Sequence, residues 1–263
     1  MKIVGDGFLS VRGVAESERV KNEISLIVNL VENAIGLCDI SLLKIDINAQ
    51  DTDIEKQKII SSVVFARLLE ISESIVLLAN AGFSTEVTAG LRNFLEAYFI
   101  FGNLCSSSEF VKEYFNTDLK ARQKIINAAA QGKSDIYEKV NQYATESVRG
   151  ELKSEIEELK AVEANCYEYA RRIGCADTYN ALYRVASAAT HSTPRSLEAY
   201  VTENKTGDVI EIRRTPQIGK IPDNLITVGL FLLNSCEGYN KLFGRDISAE
   251  ANHLRSAFEA IDI

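Results

Sequence analysis

Val20, Ile24, Ile27, Val28, Val31, Ala34, Ile35 and Leu37 recur at three- and four-residue steps, which lays them along one face of a helix and predicts helix from Ala15 onward. Met1 to about Val14, with three glycines, reads as an irregular or short extended lead-in. Ile40 to Asp53 combines β-branched residues with Asn-Ala-Gln-Asp-Thr-Asp, a loop in which Asp51 or Thr52 caps the next helix, Asp53 to Ala81. Ala81-Gly82-Phe83-Ser84 ends that helix on a glycine and opens another with a serine cap, so the two run antiparallel. The helix that follows, about Thr85 to Cys105, is apolar around most of its circumference, with Leu91, Phe94, Leu95, Tyr98 and Phe99. It belongs at the centre of a bundle.

Ser106-Ser-Ser108-Glu109 caps a helix over Phe110 to Ala130. Asp135 to Arg172 has only a narrow apolar stripe beside many charges, which predicts one or two peripheral helices with a solvated face. Asp177 or Thr178 caps a helix running from Tyr179 to His191 or Ser192, stopped by Pro194. Tyr200–Thr202 and Val209–Ile212 flank turn residues Asn204 to Asp208 and predict a hairpin. Pro216 and Pro222 make an irregular link. Asp223 or Asn224 then caps a helix over Leu225 to Phe243, and a tail helix runs through Ala260. The expected fold is a single all-α domain over residues 1–263, a helical bundle with a small β-hairpin insertion near 199–213.

With 46% hydrophobic and 25% charged residues the chain can bury a sizeable core, and its net charge of -8 disfavours general binding to nucleic acid or anionic membrane. A local cationic cleft is compatible with that total, because nearby charges set the field inside it. No apolar run reaches 18 residues without a charge, and no basic-then-apolar leader opens the chain. A cytoplasmic protein with no membrane partner is expected. Cys38, Cys105, Cys166, Cys175 and Cys236 are odd in number and scattered, and predict buried free thiols rather than disulfides or a zinc site. The glycine-rich phosphate loops, His-Glu-x-x-His and Gly-x-Ser-x-Gly are absent, which removes support for nucleotide-driven, zinc-peptidase and serine-hydrolase chemistry. No cofactor and no metal site is expected, although carboxylates alone can bind a metal.

The chemistry that remains centres on Tyr179 to Pro194, which holds one of two histidines in the chain. At about 100° per residue, Arg184 and His191 lie within roughly 20° of each other, two turns apart on one helical face. Ser187 shares their stripe and Tyr183 flanks it. At the C-terminal end of its helix His191 faces the negative end of the dipole, which favours the imidazolium and a general-acid role. Arg92 and Glu96 stand four residues apart on the apolar helix, either as an ion pair or with Glu96 orienting a group of the site. The alternative for Tyr183, Ser187 and His191 is a buried, hydrogen-bonded polar stripe that fixes helix packing.

Arg184, six residues, then His191 resembles the motif of the HEPN superfamily, whose members cut RNA without metal. Ala89 to Tyr98, Tyr179 to Ser187 and His191 to Leu197 further resemble a bacterial domain family of unknown function that is HEPN-like. The resemblance spans about 59–243, with 15–52 as an N-terminal helical extension. It implies an endoribonuclease with Arg184 and His191 catalytic, supported by Tyr183, Ser187, Glu96 and Arg92. Cutting RNA without metal needs one group to take the 2′-hydroxyl proton, another to protonate the leaving oxygen and a cation to hold the phosphorane charge. One chain supplies a single His191, so the resemblance implies a homodimer that joins two copies of the motif. It also implies a phage-defence or toxin effector, with an antitoxin or defence protein as partner. Val185 departs from the pattern, since many active members carry a polar residue directly after the arginine. A noncatalytic helical module that binds a nucleotide, RNA or a protein is the competing expectation.

Overall fold

The structure is a computed structural model that describes residues 2–3, 7–44, 52–132, 134–191 and 193–261. Asp51 and Ser192, named above as a cap and a helix end, lie outside the described residues. Among the described residues the fold is an all-α bundle with a small sheet. Its long helices are α1 (Val11–Leu43), α2 (Asp53–Asn80), α3 (Ser84–Ser106), α4 (Glu109–Gln131), and, late in the chain, a helix over Ile221–Leu242.

Helix α1 starts earlier and ends later than the pattern predicts. Ser10 accepts a hydrogen bond from the Gly13 amide at 2.9 Å and caps it. At the other end Ile40 to Leu43 stay helical because tertiary contacts outweigh their β-branched bias. Buried Ser41 accepts from Asn240 at 2.8 Å, and Arg245 donates to the Ser41 and Lys44 carbonyls at 3.2 and 3.3 Å. Those carbonyls belong to the last turn, where a cation both bonds them and meets the dipole. By length and composition α1 could also cross a membrane, and here its apolar face is buried against α2 and the Ile221–Leu242 helix.

Helix α2 is capped by Thr52, whose hydroxyl accepts from the Glu55 amide at 3.2 Å. Gly82 (φ 77°) makes the turn into α3, and a Cβ there would sit 2.6 Å from Pro216. Ser84 is not the cap of α3: Phe83 holds that position, and the Ser84 hydroxyl accepts from the Lys220 amide at 3.2 Å instead. Helix α3 takes the central place expected of it, with Leu91, Phe94, Leu95 and Phe99 buried among α2, the late helix and the segment after 166.

The charged stretch resolves into more pieces than one or two helices: a 3-10 turn over Asp135–Tyr137, then α5 (Glu138–Tyr143), α6 (Glu146–Glu158) and α7 (Cys166–Arg172). Leu119 of α4 with Ile156 and Ala161 forms a small core of its own under α6. After α7 come α8 (Ala176–Thr178), a π turn over Tyr179–Tyr183, α9 (Arg184–Thr190) and α10 (Pro194–Leu197). Neither Asp177 nor Thr178 acts as a cap; both lie inside α8. Helix α9 packs on α3 as expected, but at its flank, and buries little besides Ala186.

The hairpin consists of β2 (Val201–Glu203) and β3 (Val209–Ile212), paired antiparallel. The lead-in, expected to be irregular or briefly extended, supplies a short strand, β1 (Lys2–Ile3), parallel to β3, so the sheet order is β1-β3-β2. The late helix, α11 (Ile221–Leu242), begins before the expected Leu225 and takes Pro222 into its first turn, where a missing N–H costs nothing. Helix α12 (Ser248–Glu259) closes the chain against α11. One apolar core runs continuously from Val20 of α1 to Phe258 of α12.

Candidate functional site: a cationic groove beside the central helix

The π turn divides the candidate residues between two environments. The amide of Arg184 bonds back to the Tyr179 carbonyl, five residues earlier, and widens the helix by one residue. Tyr179 and Tyr183 then stack, 4.8 Å apart with planes 18° from parallel, and turn toward α3 and α7. Tyr183 is buried, and the Arg92 guanidinium lies over its ring at 5.2 Å. Burial, foremost, and then the negative charges of Cys166 and Glu96 push the Tyr183 phenol well above its ordinary range. Burial likewise pushes the Cys166 thiol up to about 11, against a hydrogen bond with Tyr183 that favours its thiolate.

Arg92 and Glu96 form the ion pair allowed by their spacing, at 2.5 Å, and Arg92 also donates to Asn93 at 3.1 Å. The Arg92 Nε is buried without a partner. These two residues therefore meet Tyr183. Neither lines the groove that holds Arg184. Ser187 donates to the Tyr183 carbonyl at 2.9 Å, a bond internal to the helix.

Arg184 faces the other way. With Val185, Ala188 and Ala189 it forms one wall of an open groove of about 400 Å³ whose floor is the first turns of α3, at Ser84, Thr85 and Thr88. Arg195 and Lys220 complete it. The 216–220 segment is tied to that floor by hydrogen bonds from Gln217 to Gly82 at 3.0 Å, Lys220 to Ser84 at 3.2 Å, and Asn224 to Thr88 at 2.9 Å. Ser84, Thr85, Ala199 and Lys220 also line an adjoining cavity of about 470 Å³ that contains Arg213, Arg214, Tyr200 and Phe8.

Together the two cavities hold five cations, Arg184, Arg195, Arg213, Arg214 and Lys220, against the single carboxylate of Glu86. The positive end of the α3 dipole adds to their potential. Arg195, Lys220, Arg213 and Arg214 were not identified from the sequence as site residues. The Arg213-Arg214 pair beside the hairpin was the one local signal, and its proximity to Arg184 depends on how 213–220 folds back over α3.

His191 ends α9 as its exposed C-cap; its amide donates to the Ala188 carbonyl at 3.4 Å, and its imidazole makes no hydrogen bond or ion pair among the described residues. It does not line the groove. From Arg184 to Thr190 the backbone is regular α-helix, so the two-turn spacing of Arg184 and His191 holds. All five cysteines are free thiols, and among the described residues no cluster of three or more His, Cys, Asp or Glu side chains is placed to hold a metal.

Fold and site define a helical bundle protein with a cationic groove between the start of its central helix and the segments on either side of the hairpin. Residues 58–208 match the model of a family of unknown function, DUF5677; the match covers more than half of the chain, and the protein belongs to that family. No curated protein and no solved structure matches the chain.

Proposed function

We propose that the protein is a metal-independent ribonuclease of the HEPN type that acts as a homodimer on single-stranded RNA. One observation carries the proposal: Arg184 opens into a groove it shares with Arg195 and Lys220, while the His191 side chain, two turns along the same helix, is exposed to solvent. A phosphodiester is the anion that such a groove suits. In the proposed step the ribose 2′-oxygen attacks phosphorus and the P–O5′ bond breaks. The 2′-hydroxyl proton passes to one His191, a second His191 donates a proton to O5′, and Arg184 holds the charge on the phosphorane. Each chain has one such histidine, so the site needs the second copy. Val185 beside Arg184 is 58% exposed, an apolar side chain on the motif face suited to contact with another chain. By the same resemblance, a toxin or phage-defence effector is the biological role inferred.

The test is a digest of mixed RNA in EDTA. The expected result is cleavage that leaves a 2′,3′-cyclic phosphate, spares DNA, and falls about 10²- to 10⁴-fold in His191→Ala and in Arg184→Ala, with circular dichroism unchanged. Equal cleavage by all three proteins, or cleavage that requires magnesium, overturns the proposal. A second reading, a noncatalytic module that binds RNA or a nucleotide, is favoured by the position of His191 outside the groove lining. Tight binding of RNA with no cleavage by any of the three supports it.

A further inference from the structure

We infer that the adjoining cavity of about 470 Å³ is a second nucleotide subsite, in which the base beside the scissile phosphate packs against Tyr200 and Phe8 and its phosphate meets Arg213 and Arg214. The inference rests on the reading of the Arg184 groove as an RNA site and extends it to residues of the hairpin region.

Continuity is the first argument. Ser84, Thr85, Ala199 and Lys220 line both cavities, so a strand seated on Arg184 and Arg195 has an open path into the second. Charge is the next. In a chain of net charge -8, Arg184, Arg195, Arg213 and Arg214 make no ion pair with any described residue, and Lys220 makes a single one, to Asp223 at 3.7 Å. Like charges held together without partners repel one another, and a polyanion along the groove relieves that repulsion. Arg213 adds a sharper need: its Nη2 reaches the Val201 carbonyl at 3.4 Å, while its Nε is buried with no acceptor. A buried donor left unpaired is costly, so Arg213 gains from a shift that turns its guanidinium into the cavity, where its charge meets a phosphate.

The aromatic groups give the cavity a character that simple anion binding would not require. Phe8 is stacked on Phe83 at 3.9 Å with the planes 5° apart, which fixes its ring at the cavity edge, and Tyr200 is half-buried there. Fixed aromatic faces beside cations are how single-stranded nucleic acids are held without sequence readout. A volume of this size suits one nucleotide. In a duplex the base faces are stacked away and unavailable, so the occupant is a single strand.

The experiment measures fluorescence anisotropy of a labelled ten-nucleotide single-stranded RNA on the full chain carrying His191→Ala, which separates binding from cutting. Adding Tyr200→Ala should weaken binding about 5- to 100-fold, and Tyr200→Phe should restore it, since the ring and not the hydroxyl does the stacking. Adding Arg214→Ala should weaken binding and lower the slope of log affinity against log salt by about one. Lys205→Ala, at the exposed hairpin tip, should change nothing. Parent-like affinity in both Tyr200→Ala and Arg214→Ala overturns the inference, as does equal affinity for a duplex of the same sequence or no binding by the parent. Arg214 is exposed, so its variant decides the matter even if Tyr200→Ala misfolds. A wild-type protein that fails to cut RNA while binding still depends on Tyr200 and Arg214 sinks the ribonuclease and leaves the subsite. One that cuts RNA with Tyr200 and Arg214 irrelevant does the reverse.

Discussion

Tyr183 and Arg184 are neighbours in sequence, yet one is buried against α3 and α7 and the other opens into the groove. Tyr183 stacks on Tyr179, lies under the Arg92 guanidinium and hydrogen-bonds with Cys166, which makes it a packing residue with a polar rim. Replacing it with alanine removes most of a buried ring and should cost about 3–5 kcal/mol in denaturant unfolding. Tyr183→Phe keeps the ring and should cost about 1 kcal/mol, the net worth of one hydrogen bond. If the phenylalanine variant cuts RNA at the wild-type rate, the hydroxyl has no part in the chemistry; equal destabilisation by both substitutions would contradict the packing role.

At the scale of elements, α7 buries Tyr169 and Ala170 against α3 and carries a network of charges on its outer face. Arg172 reaches Glu113 on α4 at 2.8 Å, and Glu168 takes bonds from Arg171 at 2.8 Å and Arg172 at 3.1 Å. Those hydrogen bonds, Arg171's first, hold the Glu168 carboxyl at about 2, below its ordinary 4.5. A carboxyl depressed in the folded state stabilises above its ordinary value, and the contribution is lost as pH falls toward the folded value. The melting temperature of wild type should therefore exceed that of Glu168→Gln by a small margin above about pH 4.5, and the margin should close as the pH approaches 2. Glu168 is at the surface, so screening keeps the margin small. A margin that stays constant from pH 6 to 2.5 would assign it to something other than ionisation.

For the whole molecule, a net charge of -8 combined with a five-cation groove predicts that RNA is repelled everywhere except along one face. The ribonuclease proposal also sets the assembly, because two His191 side chains have to meet. Light scattering at micromolar concentration should give twice the 29.1 kDa chain mass. Val185→Glu places a charge on the motif face and should yield a monomer with no cleavage. A wild-type monomer that cuts RNA would separate the activity from the dimer and remove the reason for a second histidine.

The helical character, the central position of α3 and the hairpin were legible in the chain itself. Each follows from a local rule: apolar period for Leu91 to Phe99, turn residues between Val201 and Val209, a glycine at Gly82. So was the two-turn spacing of Arg184 and His191, which needs only a regular helix. The early start of α1 came from a local cap at Ser10 that the glycine at Gly13 disguised. Its late end was decided by contacts from residues 240 and 245, some two hundred positions away. The groove belongs to that second kind. Arg184, Arg213 and Lys220 share a face because the chain after the hairpin folds back onto the first turn of α3, where Lys220 bonds Ser84. Periodicity sets which side of a helix is apolar, but which distant cations gather beside it is set by long-range packing, to which no local pattern corresponds.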